Sequence, residues 1–194
     1  QIRKGTIKGV AAVVGCSNLR AKGHDVFTVE LVKKLIAADI LVISAGCTCG
    51  SLGNCGLMSR EAVSKAGPGL SGVCRSLGIP PVLNFGPCLA IGRIECAAAE
   101  LGVDIPQLPV VVSAPQWLEE QALADGVFAL AMGFNVHLGL PPFVTGSTFI
   151  METLGEGIEQ ITGGKLIIET EIDAAADKIF EVIAEKRRGL KLNG

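Results

Sequence analysis

Tyrosine is absent from this 194-residue chain, tryptophan occurs once, and aromatic residues make up only 4% of it. Aromatic platforms for stacking single-stranded bases are therefore not expected. Basic surface is scarce as well: net charge is −2, and the one Lys/Arg block is Lys186-Arg187-Arg188 near the C-terminal end. A nucleic-acid face would be broader, and the triplet reads as compensation of a helix dipole. No apolar run reaches the ~18–20 residues of a membrane helix, because glycines and charges interrupt every candidate. Histidine occurs only at His24 and His137, and no Ser/His/Asp pattern, HExxH or GxxxxGK[ST] motif is present. Gly86 and Gly92 stand too far apart for a dinucleotide fingerprint. The chain opens on Gln1 without a signal-peptide pattern. It is expected to be a piece of a longer, cytoplasmic protein with no membrane span and no nucleic-acid partner.

What is present is an apolar, thiol-rich chain. Hydrophobic residues make up 49% and charged residues 19%. That balance predicts a large core and some apolar surface covered by a partner. Strand and helix signals alternate throughout. Apolar runs of strand length occur at Ile7–Gly15, Asp39–Gly46, Pro81–Gly86, Pro109–Ser113, Asn135–Leu138 and Leu166–Glu169. Helical patterns lie between them. One follows Asp25 as a plausible N-cap, and Arg60–Leu77 divides into two short helices at Ala66-Gly67-Pro68-Gly69. Others cover Ile91–Leu101, Gln116–Met132 with Pro115 near its first position, Ser147–Leu154, and Asp173–Arg188 with Gly189 as its stop. Continuous apolar strands imply a parallel sheet covered on both faces. The fold class predicted is α/β, a Rossmann-like three-layer α/β/α domain with a mostly parallel sheet, occupying 1–194 as one domain.

Seven cysteines without secretory features predict reduced thiols rather than disulfides. Three of them stand directly after predicted strands: Cys16 behind Gly15, Cys47 behind Gly46, and Cys88 behind Gly86-Pro87. Ligands of open α/β sheets bind beyond the carboxyl ends of the strands. Three thiols delivered there suggest a soft-metal site. Burial of small residues at strand ends is the bland alternative. Cys49 and Cys55 read as loop thiols without a fixed ligand role, since their spacing fits neither a zinc pair nor a ferredoxin run. Cys74 and Cys96 fall on helices with apolar neighbours and read as core residues. His137 reads as a satisfied structural histidine and His24 as a surface residue.

At these residues the chain resembles the C-terminal domain of the anaerobic nickel–iron–sulfur carbon monoxide dehydrogenases. The resemblance runs through Gly15-Cys16-Ser17-Asn18, Gly46-Cys47, Gly56-Leu57-Met58 and Pro80-Pro81-Val82-Leu83-Asn84-Phe85-Gly86-Pro87-Cys88. It continues through Gly102-Val103-Asp104-Ile105, Ser113-Ala114-Pro115, Val136-His137-Leu138-Gly139 and Val144-Thr145-Gly146-Ser147. It implies that Cys16 and Cys47 bind iron, and Cys88 nickel, of a Ni-Fe-S cluster. The rest of the ligand set, a histidine and two cysteines, would come from upstream domains of the same chain, which would also carry further 4Fe-4S clusters. The implied reaction takes CO and water to CO2, two electrons and two protons. A ferredoxin-like electron carrier, a small gaseous substrate and a homodimer are implied partners. The fragment alone would be inactive but would fold without metal.

Two stretches depart from the family pattern. Gln121 sits where the family has an acid/base lysine, and Leu89-Ala90-Ile91 replaces a polar stretch after the third cysteine. Glutamine offers only neutral hydrogen bonds. Two other readings stand beside the first. One is a relative of the hybrid-cluster hydroxylamine reductases, whose Gly-Gln-Cys-Asn-Asp stretch is absent here. The other is a non-catalytic α/β module binding a nucleotide or zinc.

Overall fold

The structure is a computed structural model that describes residues 1–100 and 104–191. Six strands form one sheet: β1 (Gly9–Gly15), β2 (Ile40–Gly46), β3 (Val82–Asn84), β4 (Val110–Ala114), β5 (Asn135–Leu138) and β6 (Leu166–Ile168). Their order is β3-β2-β1-β4-β5-β6, and every adjacent pair is parallel. This is the doubly wound order, which reverses between β1 and β4. The helices are α1 (Val26–Ala37), α2 (Cys47–Asn54), α3 (Pro68–Leu77), α4 (Ile91–Ala99) and α5 (Glu120–Ala131), then α6 (Thr148–Glu152), α7 (Ile158–Thr162) and α8 (Ile172–Gly189). Among the described residues no helix is long and apolar enough to cross a membrane.

Alternation along the central strand builds a core on each face of the sheet. Ala11 and Val13 of β1 face one side, where they pack with Phe27, Leu31 and Leu35 of α1 and Ile179 and Ile183 of α8. Ala12 and Val14 face the other, with Ile91 and Ile94 of α4 and Ala122, Ala129 and Leu130 of α5. Small residues on β1 let helices approach from both sides, as a fully buried parallel strand requires. The three-layer α/β/α expectation is met, and the sheet is entirely rather than mostly parallel.

Several boundaries differ from expectation. Cys47 begins α2 at once, where a Gly/Asn loop was expected. Pro115 does not start α5, which begins at Glu120, because Gln116 and Trp117 are buried in contacts of their own. Gly189 is the last residue of α8, so the helix stops where expected. Asp25 precedes α1, but its backbone is left-handed (φ 62°) and its side chain makes no capping bond. That carboxylate pairs instead with His24, 2.9 Å away. The triplet at the end of α8 is also not uniform. Arg187 is buried and donates to the carbonyls of Ile2 (2.9 Å), Lys8 (3.1 Å) and Ile7 (3.4 Å), so it anchors the N-terminal segment rather than merely offsetting a dipole. The expected end of α4 at Leu101 and the motif residues Gly102 and Val103 lie outside the described residues.

Candidate metal centre

The carboxyl ends of β1, β2 and β3 are held side by side. Gly15 is the register partner of Gly46, and the Gly46 amide donates to the Gly86 carbonyl at 2.9 Å. All three glycines have φ between 90° and 110°, so each strand leaves the sheet sharply into its cysteine. At Gly46 the space is tight: a Cβ there would stand 2.7 Å from Gly15 O and 3.2 Å from Cys88 Sγ. A side chain would push into the thiol of the next strand's loop.

The thiols are electrostatic neighbours. Burial pushes the Cys47 thiol up first; the charges of Cys88 and Cys16 and a hydrogen bond with Cys88 push in the same direction. A cationic centre beside Cys47 would favour its thiolate against both effects. Cys16 is buried, Cys88 half-buried and Cys47 exposed, so the group opens outward from the sheet edge. Among the described residues, no three His, Cys, Asp or Glu side chains are arranged to hold a single metal ion. One tetrahedral zinc needs its sulfurs within about 4 Å of each other. A cluster takes its thiolates on separate metal atoms and does not need three of them on one ion. The donor set, all soft thiolates over a glycine cradle with no side chain in the way, fits a nickel–iron–sulfur cluster.

Thr48 and Gln116 position the cysteine loops. Thr48 is fully buried, and its hydroxyl donates to Ala45 O (2.9 Å) and meets Ser44 Oγ (2.9 Å), fixing the start of α2 on β2. Gln116 Nε2 points at three carbonyls, of Asn18 (3.0 Å), Ala21 (3.1 Å) and Gly23 (2.7 Å), while its Oε1 accepts from the Thr28 amide (3.2 Å). Asn18 returns a bond to Trp117 O at 2.8 Å. The loop after Cys16 is thus latched to the loop after β4 across the point where strand order reverses. Sequence reasoning passed over Gln116; the signal was a polar residue directly behind an apolar strand and Pro115.

The other candidates separate clearly. Cys49 lies on α2, not in a loop, with its thiol turned toward Ser44 Oγ (3.6 Å) and Gly86 O (3.7 Å). Cys55 caps the far end of α2, ~12 Å along the helix from Cys47. Cys74 is buried as expected, but Cys96 is exposed on α4 and is not a core residue. His137 is fully buried between Ser113 Oγ (2.8 Å) and Glu169 O (3.0 Å), and His24 is exposed. Gln121 is exposed in the first turn of α5 and donates to Asp125 Oδ1 at 3.3 Å.

A doubly wound parallel sheet with three cysteines beyond the carboxyl ends of β1, β2 and β3, on one side of its reversal point, defines the class: an α/β domain of the ligand-binding, Rossmann-like kind. The chain belongs to the Prismane/CO dehydrogenase family, which it matches over residues 1–173. It is 55% identical to the carbon monoxide dehydrogenase of Methanocaldococcus jannaschii over 193 residues, covering 97% of this chain and 31% of that protein. A nickel-free carbon monoxide dehydrogenase from Thermococcus sp. AM4 superposes with a TM-score of 0.93 at 42% identity, covering 100% of this chain and 31% of the other. An acetyl-CoA synthase/carbon monoxide dehydrogenase, described with NiZn[Fe4S4] and NiNi[Fe4S4] clusters in its alpha subunits, superposes with a TM-score of 0.90 at 32% identity, covering 98% of this chain and 30% of the other. The chain therefore spans under a third of the length of these relatives.

Proposed function

We propose that this chain is the C-terminal, cluster-holding domain of a longer carbon monoxide dehydrogenase, with Cys16, Cys47 and Cys88 as its ligands to a nickel–iron–sulfur cluster. The observation that carries this reading is the placement of the three cysteines directly behind the adjoining carboxyl ends of β1, β2 and β3, where Gly15 pairs with Gly46 and the Gly46 amide donates to the Gly86 carbonyl. Cys16 and Cys47 hold iron, and Cys88 holds nickel. When bound, the group supplies a thiolate-held open metal at which carbon monoxide and water become carbon dioxide, two protons and two electrons. The chain's own part is to present the three sulfurs at the carboxyl edge of its sheet, to keep the Cys16 side dry and to leave the Cys47 side open.

The remaining ligands come from upstream domains of the same protein. Four exposed apolar residues support a covering partner on this face: Leu19, Leu89, Leu118 and Phe143, in the loops beyond β1, β3, β4 and β5. In the intact protein, further 4Fe-4S clusters carry the electrons to a ferredoxin-like acceptor, and the protein works as a homodimer on a small gaseous substrate in the cytoplasm. The names of the relatives favour this reading over hydroxylamine reduction within the same family.

The test is the full-length protein purified without oxygen and assayed for CO-dependent reduction of a viologen dye. Nickel with abundant iron and CO-dependent reduction is the expected result. Iron without nickel, together with hydroxylamine reduction, would move the chain to the hybrid-cluster branch. Zinc alone, or no metal, would leave a binding module.

A further inference from the structure

The cysteine site leaves one polar cluster beside it unused, the Gln121–Asp125 pair on α5. These residues are one helical turn apart, and Gln121 Nε2 donates to Asp125 Oδ1 at 3.3 Å. The other carboxylate oxygen, Oδ2, is buried and accepts no hydrogen bond among the described residues. An unsatisfied buried carboxylate oxygen is costly, so such an atom either carries a proton or meets a water. Asp125 lines a cavity of about 10 Å³ together with Val14, Gly15, Ile91, Ala114 and Val136, which is room for about one water. Gly15 directly precedes Cys16, so the cavity reaches the backbone from which the Cys16 loop leaves β1. At its other end the pair reaches solvent through exposed Gln121.

We propose that Asp125 is the proton-transfer group on this domain's side of the cysteine site, with Oδ2 as the atom that takes up the proton and Gln121 as the residue that positions it. The assignment rests on the CO-oxidising function proposed above. That reaction releases two protons with its two electrons. Carboxylate Oδ2 takes up one proton through the cavity water and becomes the neutral acid. It then returns the proton to solvent beside Gln121 and is a carboxylate again; no electron passes through it. Gln121 engages Oδ1 alone and leaves Oδ2 as the oxygen open to a proton.

The surroundings suit the role. The lining from β1, β4, β5 and α4 is apolar among the described residues. The ionisable side chains described on the neighbouring helices, Arg93 and Cys96 of α4 and Glu159 of α7, are exposed and do not line the cavity, and Glu120 on α5 itself is exposed too. Burial moves the Asp125 carboxyl upward, and the Gln121 bond opposes it. A carboxyl displaced toward the working pH exchanges protons more effectively in both directions.

The experiment uses the full-length protein as wild type, D125N, D125E and Q121A. In the metal-free form, the infrared carboxyl band missing from D125N should titrate above the ordinary aspartate range, and Q121A should move that midpoint further up. In the loaded form, D125N should keep its nickel and iron, lose roughly 10²-fold in CO oxidation and lose the acid limb of its pH profile, with D125E restoring most of the rate. A band that titrates in the ordinary range, or a fully loaded D125N with wild-type rate and pH profile, overturns the assignment. A wild type that holds no nickel or does not oxidise CO overturns the underlying function instead, and with it this role.

Discussion

Gly15 and Gly46 are register partners on the last rung of the β1–β2 ladder, and a Cβ on Gly46 would lie only 2.7 Å from the carbonyl oxygen of Gly15. The contact is with backbone, which cannot swing away. Gly46 also has φ 90° and ψ −158°, a conformation only glycine adopts readily. Two strands and the Cys88 thiol are thus packed around a missing side chain.

Gly46→Ala should therefore destabilise the chain by roughly 1–3 kcal/mol from backbone strain, before the clash is counted. Gly50, inside α2, has nothing within 4 Å of a built Cβ. Gly50→Ala should be neutral or stabilising by up to ~1 kcal/mol through helix propensity. Urea unfolding of both variants checks the contrast.

Gln116 holds the loop behind Cys16 with four hydrogen bonds from a fully buried amide. Gln116→Ala should cost roughly 2–3 kcal/mol, since several buried carbonyls and the Thr28 amide lose their partner. Alkylation of Cys16, which is buried in the parent, should become faster in this variant. An unchanged rate would show that the latch does not order the loop.

His137 makes stability depend on pH. Its Nε2 donates to the Glu169 carbonyl, which can only accept, so in the neutral ring Nδ1 accepts from the Ser113 hydroxyl. Burial holds its pKa down at about 4, from 6.5. The folded state thus resists protonation that the unfolded chain accepts. The stability linked to this group is fully present above pH 6.5 and is lost as pH falls toward 4, a change of about 3 kcal/mol. Unfolding midpoints measured across that interval should fall in the parent chain and fall less in His137→Gln.

Arg187 ties the end of α8 to the segment that enters β1. Arg187→Ala should cost roughly 3 kcal/mol, because charge-assisted bonds to buried carbonyls are lost. Hydrogen exchange at the amides of Lys4, Gly5 and Thr6 should accelerate, while amides in α3 remain protected.

The layered sheet was legible because buried parallel strands read as unbroken apolar runs, and β1, β2 and β4 are such runs. Placing Cys16, Cys47 and Cys88 beyond strand ends needed only those runs and the glycines behind them. Their proximity to one another needed the strand order, which local sequence does not encode. α2 escaped notice because Cys-Thr-Cys-Gly-Ser-Leu-Gly-Asn is poor in helix formers; buried Thr48 and its bonds to β2 hold it instead. Cys96 sits among apolar neighbours in sequence, yet α4 turns it outward. Gln116 and Arg187 were read by their neighbours, a helix-starting Pro115 and a basic triplet, whereas their roles come from carbonyls far away in the chain.

Cys16, Cys47 and Cys88 are proposed to share one cluster, and metal content tests that directly. Nickel and iron should be counted in the anaerobically purified full-length protein carrying Cys16→Ser, Cys47→Ser or Cys88→Ser, with Cys55→Ser and Cys74→Ser beside them. Cys88→Ser should lose nickel, and Cys16→Ser and Cys47→Ser should lose cluster iron as well, while the two control variants keep wild-type metal. Full nickel and iron in all three strand-end variants would contradict a shared cluster.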